Sequence, residues 1–151
     1  MARRRPSRPS GIDDRGSILP LVILYGLLAL ALVLIVTAAT SLYLEKKRLF
    51  TLADGAALVG AESFSLTDVT LGPDGPRPLL HPEEVQADVS DYLQGNPIGD
   101  FESLRLVDAT TVDGLSARVT VSSVWRPPIV AVFVPEGLRI EATATARSVF
   151  G

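Results

Sequence analysis

The most distinctive pattern in this chain is an apolar stretch with no period. From Ser17 to Leu44, 28 residues run without a charged side chain, whereas a surface helix of a globular protein alternates an apolar stripe with a polar one. Crossing a bilayer core of about 30 Å takes roughly 20 residues at a rise of about 1.5 Å each. The run therefore predicts a transmembrane helix over 17–44. It is too long for a secretory signal, whose apolar region spans about 7 to 15 residues. Pro20 sits near its start, where a first helical turn tolerates it.

Beyond Leu44 the pattern becomes periodic. Leu49, Leu52, Ala53, Ala56, Ala57, Gly60 and Phe64 recur at helical spacing with no proline among them, which predicts that the same helix continues outside the lipid over 45–64. Ala53, Ala57 and Ala61, with Ala56 and Gly60, form a row of small side chains that permits close approach by another backbone. Either the chain's own sheet or a helix of another subunit could fill that role. Asp54 and Gly55 interrupt the row. Gly55 costs about 1 kcal/mol of helix propensity relative to alanine, for which a close contact is the natural reason.

Residues 65–81 carry Gly72, Pro73, Asp74, Gly75, Pro76 and Pro78, which predicts a loop with no regular element. Pro82 then opens a helix of about 12 residues, with Glu83 and Glu84 in its first turn, Val85, Val89, Tyr92 and Leu93 on one face, and Gly95 as its stop. After Gly99 the period falls to two. One strand is expected over 103–112, and a second carries Leu115, Ala117, Val119, Val121 and Trp125 on alternate positions, with Asp113-Gly114 between them as a hairpin signal. A third has Leu138, Ile140, Ala142, Ala144 and Ala146 on one side and Arg139, Glu141, Thr143, Thr145 and Arg147 on the other, as in a half-buried antiparallel strand. Between two proline boundaries, Ile129 to Val134 is apolar and fits a short strand, a helical turn or an exposed patch.

The expected fold class is α+β: a long N-terminal transmembrane helix continuing into a small head with a second helix and an antiparallel sheet of about three strands, a lollipop of membrane stem and small head. Four segments follow: a basic leader 1–16, the span 17–44, its continuation 45–64, and the head 65–151. Of the 151 residues, 107 follow Leu44, enough for a modest core.

Charge orients this plan. Met1 to Gly16 holds Arg3, Arg4, Arg5, Arg8 and Arg15 against Asp13 and Asp14, a formal +3; the whole chain is −3, so the remainder is −6. Five arginines precede the span, while Lys46, Lys47 and Arg48 follow it. The positive-inside rule then puts the N-terminus in the cytoplasm and residues 45–151 outside. An acidic body argues against a nucleic-acid groove.

No catalytic constellation emerges. There is no cysteine, which excludes a disulfide framework, thiolate chemistry and Cys-ligated metals. His81, the sole histidine, stands in the proline-rich segment without a second one to share a zinc ion. Glu83, Glu84, Asp88 and Asp91 read as a solvated helix face, and no G-x-S-x-G elbow or phosphate-binding glycine pattern occurs. Trp125 is expected in the core, with Trp125 and Phe133 the alternative anchors for a partner. No cofactor and no enzymatic activity are expected.

The N-terminal third resembles a known family. Arg15-Gly16-Ser17-Ile18-Leu19-Pro20-Leu21, the long apolar helix, the basic Lys46-Lys47-Arg48, and the box formed by Ala53, Asp54, Ala56, Ala57, Leu58, Gly60 and Ala61 are similar to the TadE/TadG-like minor pilins and assembly proteins of bacterial tight-adherence (Flp) pili. The resemblance implies a single-pass cell-envelope protein supporting pilus biogenesis, with the helix as anchor and assembly element and other pilus or secretion-system subunits as partners. It also implies a processing junction at Gly16-Ser17 for a prepilin peptidase. Processed members carry glutamate at the fifth mature position, where this chain has Leu21, so most of the protein is expected to keep its leader. The competing reading is a membrane-anchored envelope binding module unrelated to pili.

Overall fold

The structure is a computed structural model that describes residues 18–65, 69–72, 75–95, 100–132 and 134–148. The elements run α1 (Ile18–Glu62), β1 (Thr70–Gly72), β2 (Gly75–Arg77), α2 (Pro82–Gly95), β3 (Arg105–Thr111), β4 (Ser116–Trp125), α3 (Pro128–Ala131) and β5 (Leu138–Arg147). The architecture is the expected α+β one: a long apolar N-terminal helix, a second helix and a three-stranded antiparallel sheet. Two compact units are present, Met1–Ile35 and Val36–Gly151.

In the first unit the described residues are all helix, and their large apolar side chains, from Ile18 through Leu28 to Ile35, are exposed except for the half-buried Leu34. Pro20 is the third residue of α1, where a missing N–H costs no intrahelical bond.

The second unit holds the core. Here α1 becomes one-sided, burying Leu49, Leu52, Ala53, Ala56, Ala57, Gly60 and Ala61 while Phe50, Asp54 and Leu58 stay exposed. The helix stops at Glu62, and Ser63 Oγ donates to the Gly60 carbonyl at 2.8 Å, taking up one of the carbonyls a helix end leaves free. Val85 and Val89 of α2 join this core, and Val85 N–H donates to the His81 carbonyl at 3.0 Å just ahead of Pro82.

The sheet order is β3-β4-β5, antiparallel throughout. Register places Val119 between Ala109 and Ala144, and Val121 between Leu106 and Ala142. The helix-facing layer is thus valine in the central strand and mainly alanine in the flanking ones, which leaves room for helices to approach. Thr120 and Thr143, paired across β4 and β5, bond through their hydroxyls at 2.9 Å. A bulge between Leu106 and Asp108 breaks the β3 register and turns Val107 outward, restoring the alternation on either side.

One expectation is corrected and two are refined. Residues 65–81 are not free of regular structure, because β1 and β2 form a short antiparallel ribbon. Counted outward from its closing pair, Gly72–Gly75, the pair Leu71–Pro76 falls at a non-hydrogen-bonded position, so the proline removes no ladder bond. The hairpin at Asp113-Gly114 forms, but its strands end at Thr111 and resume at Ser116, a wider turn than a two-residue one. The Asp113 carboxylate fills it, accepting from Leu115 N–H (2.9 Å), Ser116 N–H (2.7 Å) and Ser116 Oγ (3.0 Å). Of the three forms open to the apolar stretch after Trp125, the structure takes the helical turn, α3. Its start follows from Pro127 and Pro128, whose fixed φ suits a first turn.

Candidate assembly and membrane interface

Two surfaces of α1 bear on function, and sequence composition separates them. The first is its apolar N-terminal part. Among the described residues α1 is the helix long and apolar enough to cross a membrane, and its large apolar side chains from Ile18 to Val36, the half-buried Leu34 apart, are exposed. Polar groups just beyond are partnered: Thr40 Oγ1 donates to the Val36 carbonyl at 2.9 Å, which lowers the cost of a hydroxyl near lipid.

The second surface is the small-residue row. Ala53, Ala56, Ala57, Gly60 and Ala61 are all buried, and Asp54 is exposed on the opposite side. The row is occupied within the chain, by the sheet and by α2. A Cβ added at Gly60 would stand 3.1 Å from Ala117 Cβ, 3.1 Å from Val85 Cγ1 and 3.2 Å from Val89 Cγ2. Gly55 faces the hydroxyl of Tyr92, which would lie 2.5 Å from an added Cβ. Both glycines therefore mark close approaches of other elements to α1.

One contact escaped the sequence pattern. Trp125, 7% exposed at the end of β4, donates from Nε1 to Ser41 Oγ at 3.3 Å. Its tie to a serine 84 positions away has no periodic signature; the one hint was a polar Thr40-Ser41 pair inside an apolar run. Nearby, the Glu102 carbonyl accepts from Val124 N–H (2.8 Å) and Ser123 Oγ (3.1 Å), and the Glu102 carboxylate pairs with Arg126 at 2.8 Å. A shallow groove of about 440 Å³ follows α1 past Val36, Thr40, Ser41, Leu44, Glu45 and Arg48.

Gly16, Ser17 and Phe133 lie outside the described residues. Among those described, no group of three His, Asp or Glu residues could hold a metal ion. His81, Glu83, Glu84, Asp88 and Asp91 are exposed. Asp113 is the one described group with a resolved shift, its carboxyl held below the ordinary 3.8 chiefly by the hydrogen bond from Leu115 N–H, then by that from Ser116. That is turn chemistry, not catalysis.

Fold and surfaces together define a small α+β head built around the C-terminal part of a long apolar helix. Residues 16–63 match the family model described as "Putative Flp pilus-assembly TadE/G-like", so the N-terminal third of the chain is similar to that family. Apolar helix and family both point to a membrane location and a structural role. No curated protein and no solved structure shows significant similarity to the chain.

Proposed function

We propose that the chain is a membrane-anchored, minor pilin-like component of a tight-adherence pilus or a related secretion system. It crosses the cytoplasmic membrane once through residues 17–44, with leader 1–16 inside and residues 45–151 outside. The observation that carries this reading is the coincidence of the family match, 16–63, with α1, Ile18–Glu62. The shared part comprises the anchor and the face that holds the head, whereas the sheet lies outside it. Such a division suits an assembly factor: a common helix for the membrane and for the helices of other subunits, carrying a head particular to this chain.

Orientation is supported by the excess of arginine ahead of the span. Leu21 in place of an acidic residue favours retention of the leader, because a carboxylate in lipid is costly and persists only for a purpose. The test has two arms. A reporter active only in the cytoplasm, fused after Gly151, should be silent, and robust activity would overturn the topology and the pilus role. Intact-mass measurement of membrane-extracted protein should give the full chain; a dominant species starting at Ser17 would make the chain a peptidase-processed minor pilin instead.

A further inference from the structure

We propose that the end of the head formed by α3 and residues 134–137, next to Trp125 at the end of β4, is seated in the headgroup layer of the same bilayer that α1 crosses, so that head and anchor bind the membrane together. The inference rests on the reading of α1 as a membrane span and adds a second lipid contact to it.

Two contacts set the alignment of the head along α1. Gly60 meets Ala117 at the start of β4, and Ser41 meets Trp125 at its end. Nineteen helical residues separate Ser41 from Gly60, about 28 Å at helical rise. Eight strand residues separate Ala117 from Trp125, about 27 Å at strand rise. The lengths agree, so helix and strand run side by side in opposite directions over the whole of β4. The described residues that join β4 to β5, 126–132 and 134–137, therefore lie at the level of Ser41 or beyond it, on the side away from Gly60.

That level is inside the apolar run. Ser41 stands one helical turn before Glu45, the first charged residue after Arg15, and the compact unit containing the head begins at Val36, well within the run. If the apolar run lies in lipid, the loop end of the head cannot stand clear of it. Its chemistry suits that place. Pro127 to Pro135 contains no charged residue, Val132 is 78% exposed, and the one acidic side chain of the connection, Glu136, stands at its far end next to β5. Arg126 is held by the Glu102 carboxylate at 2.8 Å and Arg139 donates to Ser122 Oγ at 3.1 Å, so the contact is made by the apolar stretch between them.

The absence of native cysteine allows a direct test with single spin labels on the full chain in vesicles of phosphatidylethanolamine and phosphatidylglycerol. Val132→Cys probes the proposed contact. Val112→Cys, 79% exposed at the opposite end of the sheet, is the aqueous reference, and Leu28→Cys, 61% exposed in the apolar run, is the lipid reference. The label at 132 should show lower accessibility to a water-soluble nickel reagent and higher accessibility to oxygen than the label at 112, at a depth between the two references. Accessibility at 132 equal to that at 112, with 28 in lipid, overturns the seating and leaves the span intact. Shielding of 132 from both reagents with coupling between labels assigns the surface to a second copy and also overturns it. A label at 28 outside lipid removes the membrane reading itself.

Discussion

Adding one methyl group at Gly60 sets two effects of known size against each other. Glycine to alanine inside a helix gains about 1 kcal/mol. The new Cβ, however, would lie 3.1 to 3.2 Å from Ala117, Val85 and Val89, where carbon atoms prefer about 3.5 to 4.0 Å. Neither side can yield easily: Ala117 Cβ is fixed to the central strand, and the two valines are stiff about χ1. Overpacking of this kind costs about 1 to 3 kcal/mol, so Gly60→Ala should be net destabilising by about 0 to 2 kcal/mol. Gly55→Ala is the control. Its obstacle is the far end of the partly exposed Tyr92, which can swing aside, so the propensity gain should survive and stability should be unchanged or raised by up to about 1 kcal/mol. Urea unfolding of the full chain in detergent, followed by the emission of its single tryptophan, reads both. Equal stabilisation of the two variants would show that α1 is not closely packed at Gly60 and would undo the account of the small-residue row.

Ala57→Leu, placing a branched side chain at a fully buried position, should cost about 1 to 3 kcal/mol in the same assay. Trp125→Phe removes the donor to Ser41 and should cost about 0.5 to 1.5 kcal/mol, with Ser41→Ala matching it and the double variant costing little more, all three read by far-ultraviolet circular dichroism because Trp125→Phe removes the fluorophore. Gly137 adopts φ 72° with the Trp125 carbonyl 2.9 Å from an added Cβ, so Gly137→Ala should lose about 1 to 2 kcal/mol from the left-handed backbone alone. Asp113 has a folded pKa below 3.8: its carboxylate favours the folded state above that pH, and the contribution disappears as pH falls through the folded value. Asp113→Asn should accordingly flatten the acid limb of the stability profile below about pH 4; an unchanged limb would show that the turn does not hold the charge.

The sequence by itself determined the elements whose causes are local. An uncharged run sets the span, the 3.6-residue recurrence from Leu49 onward marks the buried face of α1, Pro82 and Gly95 bound α2, and alternation identifies the strands, because each depends on residues a few positions apart. The family resemblance was legible for the same reason, being carried by one continuous helix. The tertiary structure decided which partner covers the alanine row: its small side chains suit any close neighbour, and only the alanine-lined sheet with Val85 and Val89 fixes the choice. It also decided the β1–β2 ribbon, which depends on pairing positions that a list of prolines and glycines does not reveal. The level at which the head meets α1 likewise depends on Trp125 reaching Ser41. Side-chain periodicity carries no information about which distant residues share a height along a helix; that follows only once strand and helix lengths are matched in space.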